Sequence, residues 1–184
     1  MVKKVAKISL VLFIISLATA LLLSLTNELT VDIITAGQLK KKNESMAKVL
    51  PASEYKLISN EPGSYELYSA TIKDKIVGYT VSLSESGYGG DIDMMIGILP
   101  NGTVNGVNII EMSETPGLGD NAKKPEFTNM FNGKKNDEIA LSKDGGKIEA
   151  LSGATVTSRA VTKGVKRAVE IVDTKVSGGE SGEQ

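Results

Sequence analysis

The sequence contains no cysteine, no histidine and no tryptophan in its 184 residues. Without cysteine it can form no disulfide, ligate no iron–sulfur cluster and present no thiolate nucleophile. Without histidine it lacks an imidazole general base, an axial haem ligand and the commonest zinc ligand. What unaided side chains can still do is carboxylate, lysine, tyrosine or hydroxyl chemistry, so reactivity beyond that must come from a bound organic cofactor. The cofactor option gains weight. Charge of one sign is also scarce: the net charge of −1 conceals two unlike parts. Lys3, Lys4 and Lys7 give the first seven residues +3, no acidic residue precedes Glu28, and the remainder carries 18 Lys and Arg against 22 Asp and Glu, a net −4. That mildly acidic body has no electrostatic footprint for nucleic acid, and none is expected as a partner. With 41% hydrophobic and 23% charged residues, the chain reads as one globular domain plus additional apolar material.

The additional apolar material is at the N-terminus. Ile8 to Leu25 contains no charge, and its only polar side chains are Ser9, Ser16, Thr19 and Ser24, each able to bond back to its own helix. At about 1.5 Å per residue this run covers roughly 27 Å, close to the hydrocarbon thickness of a bilayer. A transmembrane helix over 8–26 is therefore expected. A cleaved signal peptide is the rival reading, since Ala18-Thr19-Ala20 resembles a cleavage site, but the run continues through Leu21, Leu22, Leu23 and Leu25. Cleavage would leave a hydrophobic new terminus, which favours an uncleaved anchor. Three lysines precede the span and the first basic residue after it is Lys40. By the positive-inside rule residues 1–7 are cytoplasmic and the domain is extracytoplasmic, on a single-pass protein of the inner or plasma membrane. The span has no ionisable group, so ion conduction is assigned to partners rather than to this chain alone.

Beyond the span, residues 27–51 read as a polar stalk helix ending at Pro51. A globular domain over 52–176 follows, and the Gly- and Glu-rich residues 177–184 are expected to be a disordered tail. Within the domain, Glu66–Ile72 and Ile76–Leu83 alternate with period two and predict a hairpin. Asp91–Leu99 and Thr103–Met112 predict a second hairpin around Pro100-Asn101-Gly102, where Asn-Gly supplies positive φ angles. The four strands can form one antiparallel sheet. Pro116-Gly117 predicts a type II turn within the irregular segment Glu114–Gly119. Phe127, Met130 and Phe131 suggest a short amphipathic helix, and Glu138–Leu141 and Lys147–Leu151 two more short strands. A last helix is expected over Ser158–Val172, with Ala160, Val161, Val165, Ala168, Val169 and Val172 on one face. Met94, Met95 and Met112 are read as core filler. The fold class is α+β.

Leu151-Ser152-Gly153-Ala154-Thr155-Val156-Thr157-Ser158 joins a predicted strand to that last helix. In one reading Thr155, Thr157 or Ser158 simply caps the helix. In the other, small Gly and Ala admit a bulky group, and the free N–H groups at the helix start offer an anion site. The segment lacks the Gly-Lys-Ser/Thr of a Walker loop and the spacing of a dinucleotide GxGxxG fingerprint. Spacing alone leaves both readings open.

Ser152-Gly153-Ala154-Thr155, between Ile148-Glu149-Ala150-Leu151 and Val156-Thr157-Ser158, resembles the flavinylation motif of the FMN-binding domain family. Glu114-Thr115-Pro116-Gly117-Leu118-Gly119 and Gly87-Tyr88-Gly89-Gly90 are similar to segments of the G subunits of Rnf complexes and of the homologous C subunits of sodium-pumping NADH:quinone reductases. The resemblance spans nearly the whole chain and includes the single N-terminal span, the stalk and the order of the motifs. It implies a single FMN-binding domain of antiparallel sheet with packed helices. It further implies FMN joined to Thr155 by a phosphoester bond, installed by an ApbE-type flavin transferase with FAD as donor. Glu149 stands where the family usually has Asp, keeping the carboxylate with one more methylene. As further cofactor-binding residues the resemblance points to Ser152, Gly153, Ala154 and Thr157 around the phosphate, and to Glu114, Thr115, Leu118 and Gly119 around the isoalloxazine ring. Tyr88 suits stacking on flavin and a buried or hinge aromatic equally. The implied activity is electron relay within an ion-translocating ferredoxin:NAD oxidoreductase, with the other integral-membrane and redox subunits as partners. A tethered binding module without flavin and a free-standing extracytoplasmic flavin reductase are the alternatives.

Overall fold

The computed structural model describes residues 2–177. The chain divides into two compact units between Lys41 and Lys42. The first is helical. Helix α1 runs without interruption over Val2–Val49, so the expected span and stalk are one helix rather than two, with Gly37 inside it. The apolar residues of its first half are exposed, Leu23 at 71% and Ile8 at 70%, and the helix is long and apolar enough to cross a membrane. Two threonines of the apolar stretch are satisfied within the helix: Thr19 donates to the Ile15 carbonyl at 3.0 Å and Thr26 to that of Leu22 at 2.8 Å.

The second unit is built on an antiparallel sheet of five strands in sequential order: β1 (Glu54–Glu61), β2 (Tyr65–Ile72), β3 (Lys75–Ser86), β4 (Asp91–Ile98) and β5 (Val104–Met112). Strands β2 to β5 are the two predicted hairpins. The edge strand β1 escapes the sequence reading because Glu54–Glu61 is exposed along most of its length and shows no apolar alternation. The turns differ from expectation in detail. Lys73 (φ 48°) and Asp74 (φ 61°) form the β2–β3 turn in left-handed conformation although neither is Asn or Gly. In the β4–β5 turn only Gly102 has positive φ (77°), and its N–H donates to the Leu99 carbonyl at 2.9 Å.

One face of the sheet carries the main core. Leu67, Val81, Ile92, Met94, Ile96 and Ile98 pack under Val161, Val165, Ala168 and Val169 of a long C-terminal helix. Phe127, in the one-turn helix α2 (Pro125–Thr128), meets Phe131 edge-to-face at 5.5 Å between centroids. The C-terminal helix is α3 (Thr155–Ser177). The other face of the sheet receives the end of α1 and the residue after it: Met46, Val49 and Leu50 cover Met95 and Ala70. Neighbouring Met94 and Met95 thus fill opposite cores, as strand alternation requires.

Two expectations are corrected. Glu138–Leu141 and Lys147–Leu151 are not strands: 3₁₀ turns occupy Asn136–Glu138 and Ser142–Asp144, and only a single parallel bridge joins Leu141 to Ile148. Ile139, Leu141 and Ile148 are buried, so the apolar spacing reflects a loop pinned to the core. Helix α3 begins at Thr155 rather than Ser158, which puts the Ser/Thr cluster inside its first turn, and it extends beyond Val172. The expected tail over 177–184 lies outside the described residues but for Ser177, the last residue of α3.

Candidate functional site

Three segments converge at one end of the sheet: the β3–β4 connection Gly87–Gly90, the loop after β5 and the start of α3. The loop folds as its sequence predicts. Gly117 has φ 78°, Leu118 donates to the Thr115 carbonyl at 3.1 Å, and the Asn121 amide donates to the Gly117 carbonyl at 2.8 Å. A 3₁₀ turn, Gly119–Lys123, then leads to α2. At the start of α3, Gly153 (φ 73°) reverses the chain. Ser158 locks that reversal by accepting from the Leu151 N–H and donating to the Ala154 carbonyl, both at 2.9 Å.

These segments enclose a groove of about 510 Å³. Glu114, Thr115, Leu118 and Gly119 line it from the loop side, and Gly153, Ala154, Thr155 and Thr157 from the helix side. Ser152 is exposed and is not part of the lining, so of the nine candidate residues eight come together. Tyr88 and Val156 complete the wall. Sequence reasoning does not single out Val156, a lone apolar residue between two threonines. It leaves Tyr88 undecided, and the glycines on both sides of that residue are the available signal. Tyr88 (76% exposed), Val156 (50%) and Leu118 (44%) form an apolar rim to the groove.

The polar groups are arranged differently from a helix cap. Among the described residues no side chain accepts from the N–H groups of Thr155, Val156 or Thr157, the first three positions of α3. Thr157 instead donates its hydroxyl to Glu114 Oε2 at 3.0 Å. Glu114 is not a surface loop charge: it is buried, and its Oε1 accepts from the N–H of Tyr88 at 2.7 Å and of Gly89 at 3.3 Å. The Thr155 side chain, at the groove wall, has no hydrogen-bond partner among the described residues. The groove therefore offers free backbone donors and helix-dipole charge to an anion, beside an unengaged hydroxyl and an apolar slot of cofactor size.

Comparison with known proteins bears on what such a groove takes. The FMN-binding domain family matches residues 87–170, which contain all three groove-forming segments. The G subunit of the proton-translocating ferredoxin:NAD(+) oxidoreductase complex of Clostridium ljungdahlii is 36% identical over 154 residues, covering 82% of each chain. The chain belongs to the family of G subunits of ion-translocating oxidoreductase complexes. A second member, from the Na(+)-translocating ferredoxin:NAD(+) oxidoreductase complex of Acetobacterium woodii, is 33% identical over 191 residues, covering 92% of each chain. The same fold occurs in the C subunit of the Na(+)-translocating NADH-quinone reductase of Parabacteroides distasonis, with a TM-score of 0.53 at 22% identity over 68% of this chain and 78% of that one. The sheet-and-helix scaffold is thus shared between G and C subunits, at an identity too low to carry more than the fold.

Proposed function

We propose that this G subunit relays electrons through FMN held in the groove and joined to Thr155 by a phosphoester bond. The observation that carries the reading is the juxtaposition, on one wall, of the Thr155 hydroxyl with the uncapped N–H groups of Thr155, Val156 and Thr157. A phosphate at that point meets backbone donors and the positive end of α3 without any basic side chain. The opposite wall, Leu118 with Tyr88 and Thr115, suits the ring system. The Thr157 hydroxyl proton is committed to Glu114, so Thr157 serves the phosphate through its backbone rather than as a hydroxyl donor.

When bound, FMN supplies what the side chains lack: it takes up two electrons and passes them on singly. The protein's part is retention and placement. A phosphoester keeps the cofactor in place where free FMN is dilute and a reversible site would empty. Thr155 supplies the oxygen that replaces AMP on the FMN-side phosphorus of FAD; the bond from that phosphorus to the AMP oxygen breaks and the hydroxyl proton is released. The agent is a flavin transferase of the ApbE type.

The relatives' names speak of complexes that translocate protons or sodium ions while coupling ferredoxin to NAD. The reading places this chain in such a complex as a single-pass anchored protein, N-terminus in the cytoplasm and FMN domain outside, receiving and passing electrons through partner subunits. In membranes carrying the whole complex, Thr155→Val should abolish ferredoxin-dependent NAD reduction while the protein stays in the membrane fraction beside its partners. Undiminished reduction by that variant would refute the relay, and a yellow G subunit found apart from any polytopic partner would favour a free-standing reductase.

A further inference from the structure

Glu114 is the one carboxylate in the lining of the groove and is buried; two of its three donors, Tyr88 and Thr157, line the same groove, and the third, Gly89, follows Tyr88. Oε1 takes the N–H groups of Tyr88 and Gly89, and Oε2 takes the hydroxyl of Thr157. Among the described residues no Lys or Arg pairs with it. A buried anion satisfied only by three neutral donors binds each of them more strongly than a neutral acceptor would, and its removal leaves all three unsatisfied. The surrounding sequence leaves room for it and nothing else. A Cβ at Gly119 would stand 2.6 Å from Oε2 and 2.8 Å from Thr157 Oγ1, and one at Gly87 would collide with Oε1.

We propose that Glu114 is a positioning residue: it clamps the first turn of α3, which carries Thr155, to the glycine loop, which carries Tyr88, and so fixes the width of the groove between the attachment point and the aromatic ring. The backbone of Tyr88 is pinned while its ring remains 76% exposed at the rim. The two glycines after it, Gly89 and Gly90, give the loop no side-chain anchor of its own, so the carboxylate sets where the ring stands. Glu114 acts through Tyr88 and Thr157 and need not touch the cofactor. This rests on FMN occupying the groove, and it adds a role that the attachment site alone does not require.

The test uses the full-length protein in detergent with a flavin transferase and FAD. Wild type, Glu114→Ala, Glu114→Gln and Thr157→Val are compared for loading rate by intact mass, flavin fluorescence after loading, and amide exchange before loading. Glu114→Ala should exchange the Tyr88 and Gly89 amides about tenfold faster, load about tenfold more slowly and give brighter, more iodide-accessible flavin where loaded. Glu114→Gln should restore near-normal loading and quenching, because Oε1 can still accept from both N–H groups while Nε2 donates to Thr157 Oγ1. Thr157→Val, which keeps the helix and the attachment hydroxyl but removes the α3 end of the clamp, should also load more slowly and show the loosened-flavin fluorescence. Wild-type loading with normal fluorescence in both Glu114→Ala and Thr157→Val would overturn the clamp while leaving attachment intact. Should Glu114→Ala not fold, Thr157→Val and the Glu114→Gln rescue decide the matter. Failure of the wild type to load would overturn the FMN reading itself, and the clamp with it.

Discussion

Two grooves flank helix α3, and they are of similar size: about 510 Å³ at its N-terminal end and about 410 Å³ beside its C-terminal half. The second is walled by Asn101, Lys135, Asp137, Lys166 and Asp173, side chains of both signs that reach into water, with Val169 at its base. The first has free backbone donors, a buried carboxylate held by three donors, and an apolar rim. What separates them is preorganisation rather than volume. Flexible charged side chains must be ordered by whatever binds, whereas backbone N–H groups at a helix start are already fixed. The two grooves thus differ in what they offer a ligand: only the first presents the free N–H groups of a helix start.

The comparison breaks most severely if the first groove is filled. Gly119→Val sets a branched side chain against Glu114 and Thr157, and should cut flavin loading by at least about a hundredfold, measured by intact mass. Next in size is the tether that holds the middle of α3 to the sheet. Glu85 on β3, whose side chain is 6% exposed, receives Lys163 at 2.7 Å and Arg167 at 3.1 Å from the middle of α3. Lys163 is exposed and Arg167 half-buried, so Glu85→Gln should cost about 1–2 kcal/mol by urea unfolding, between an exposed and a fully buried pair. The double substitution Lys166→Ala with Asp173→Ala sharpens the contrast from the other side. It should leave flavin loading unchanged and stability within about 0.5 kcal/mol of wild type, and slowed loading would assign the second groove a part in the chemistry.

The smallest expected effect is a pH dependence outside both grooves. Glu138 accepts from Lys147 at 2.6 Å and from the Lys135 N–H at 3.2 Å, and these bonds hold its carboxyl below the ordinary range. A carboxyl lowered by folding contributes stability that is present above its unfolded pKa and is lost as pH falls through the folded one. Glu138→Gln should therefore weaken the protein slightly at neutral pH and match wild type under acid conditions, read from urea midpoints across pH.

The legible parts of the sequence are those with a period or an obligate turn. The apolar run Ile8–Leu25, strands β2 to β5 and the Pro116-Gly117 turn follow from hydropathy and local backbone preference. Strand β1 is hidden because an exposed edge strand needs no apolar face; its pairing with β2 comes from the neighbour and not from its own residues. The β2–β3 turn is placed by the strands around it, but its left-handed Lys73 and Asp74 carry no composition signal, since those strands impose the geometry. The groove is legible through motifs: Glu114, Leu118, Gly153 and Thr155 are separated by up to 41 positions in sequence and meet on its walls. The role of Thr157 is not legible, because which acceptor takes a hydroxyl depends on a residue 43 positions away. Nor is the start of α3, whose first turn begins in the β-branched Thr155-Val156-Thr157, poor helix formers held there by the Ser158 lock.

Whether the N-terminal end of α3 carries FMN on Thr155 is decided by peptide fragmentation of the protein prepared with and without a flavin transferase. A transferase-dependent gain of one FMN less one water, located on Thr155, is expected. An adduct on Ser152, Thr157 or another residue, or no adduct in either preparation, would contradict it.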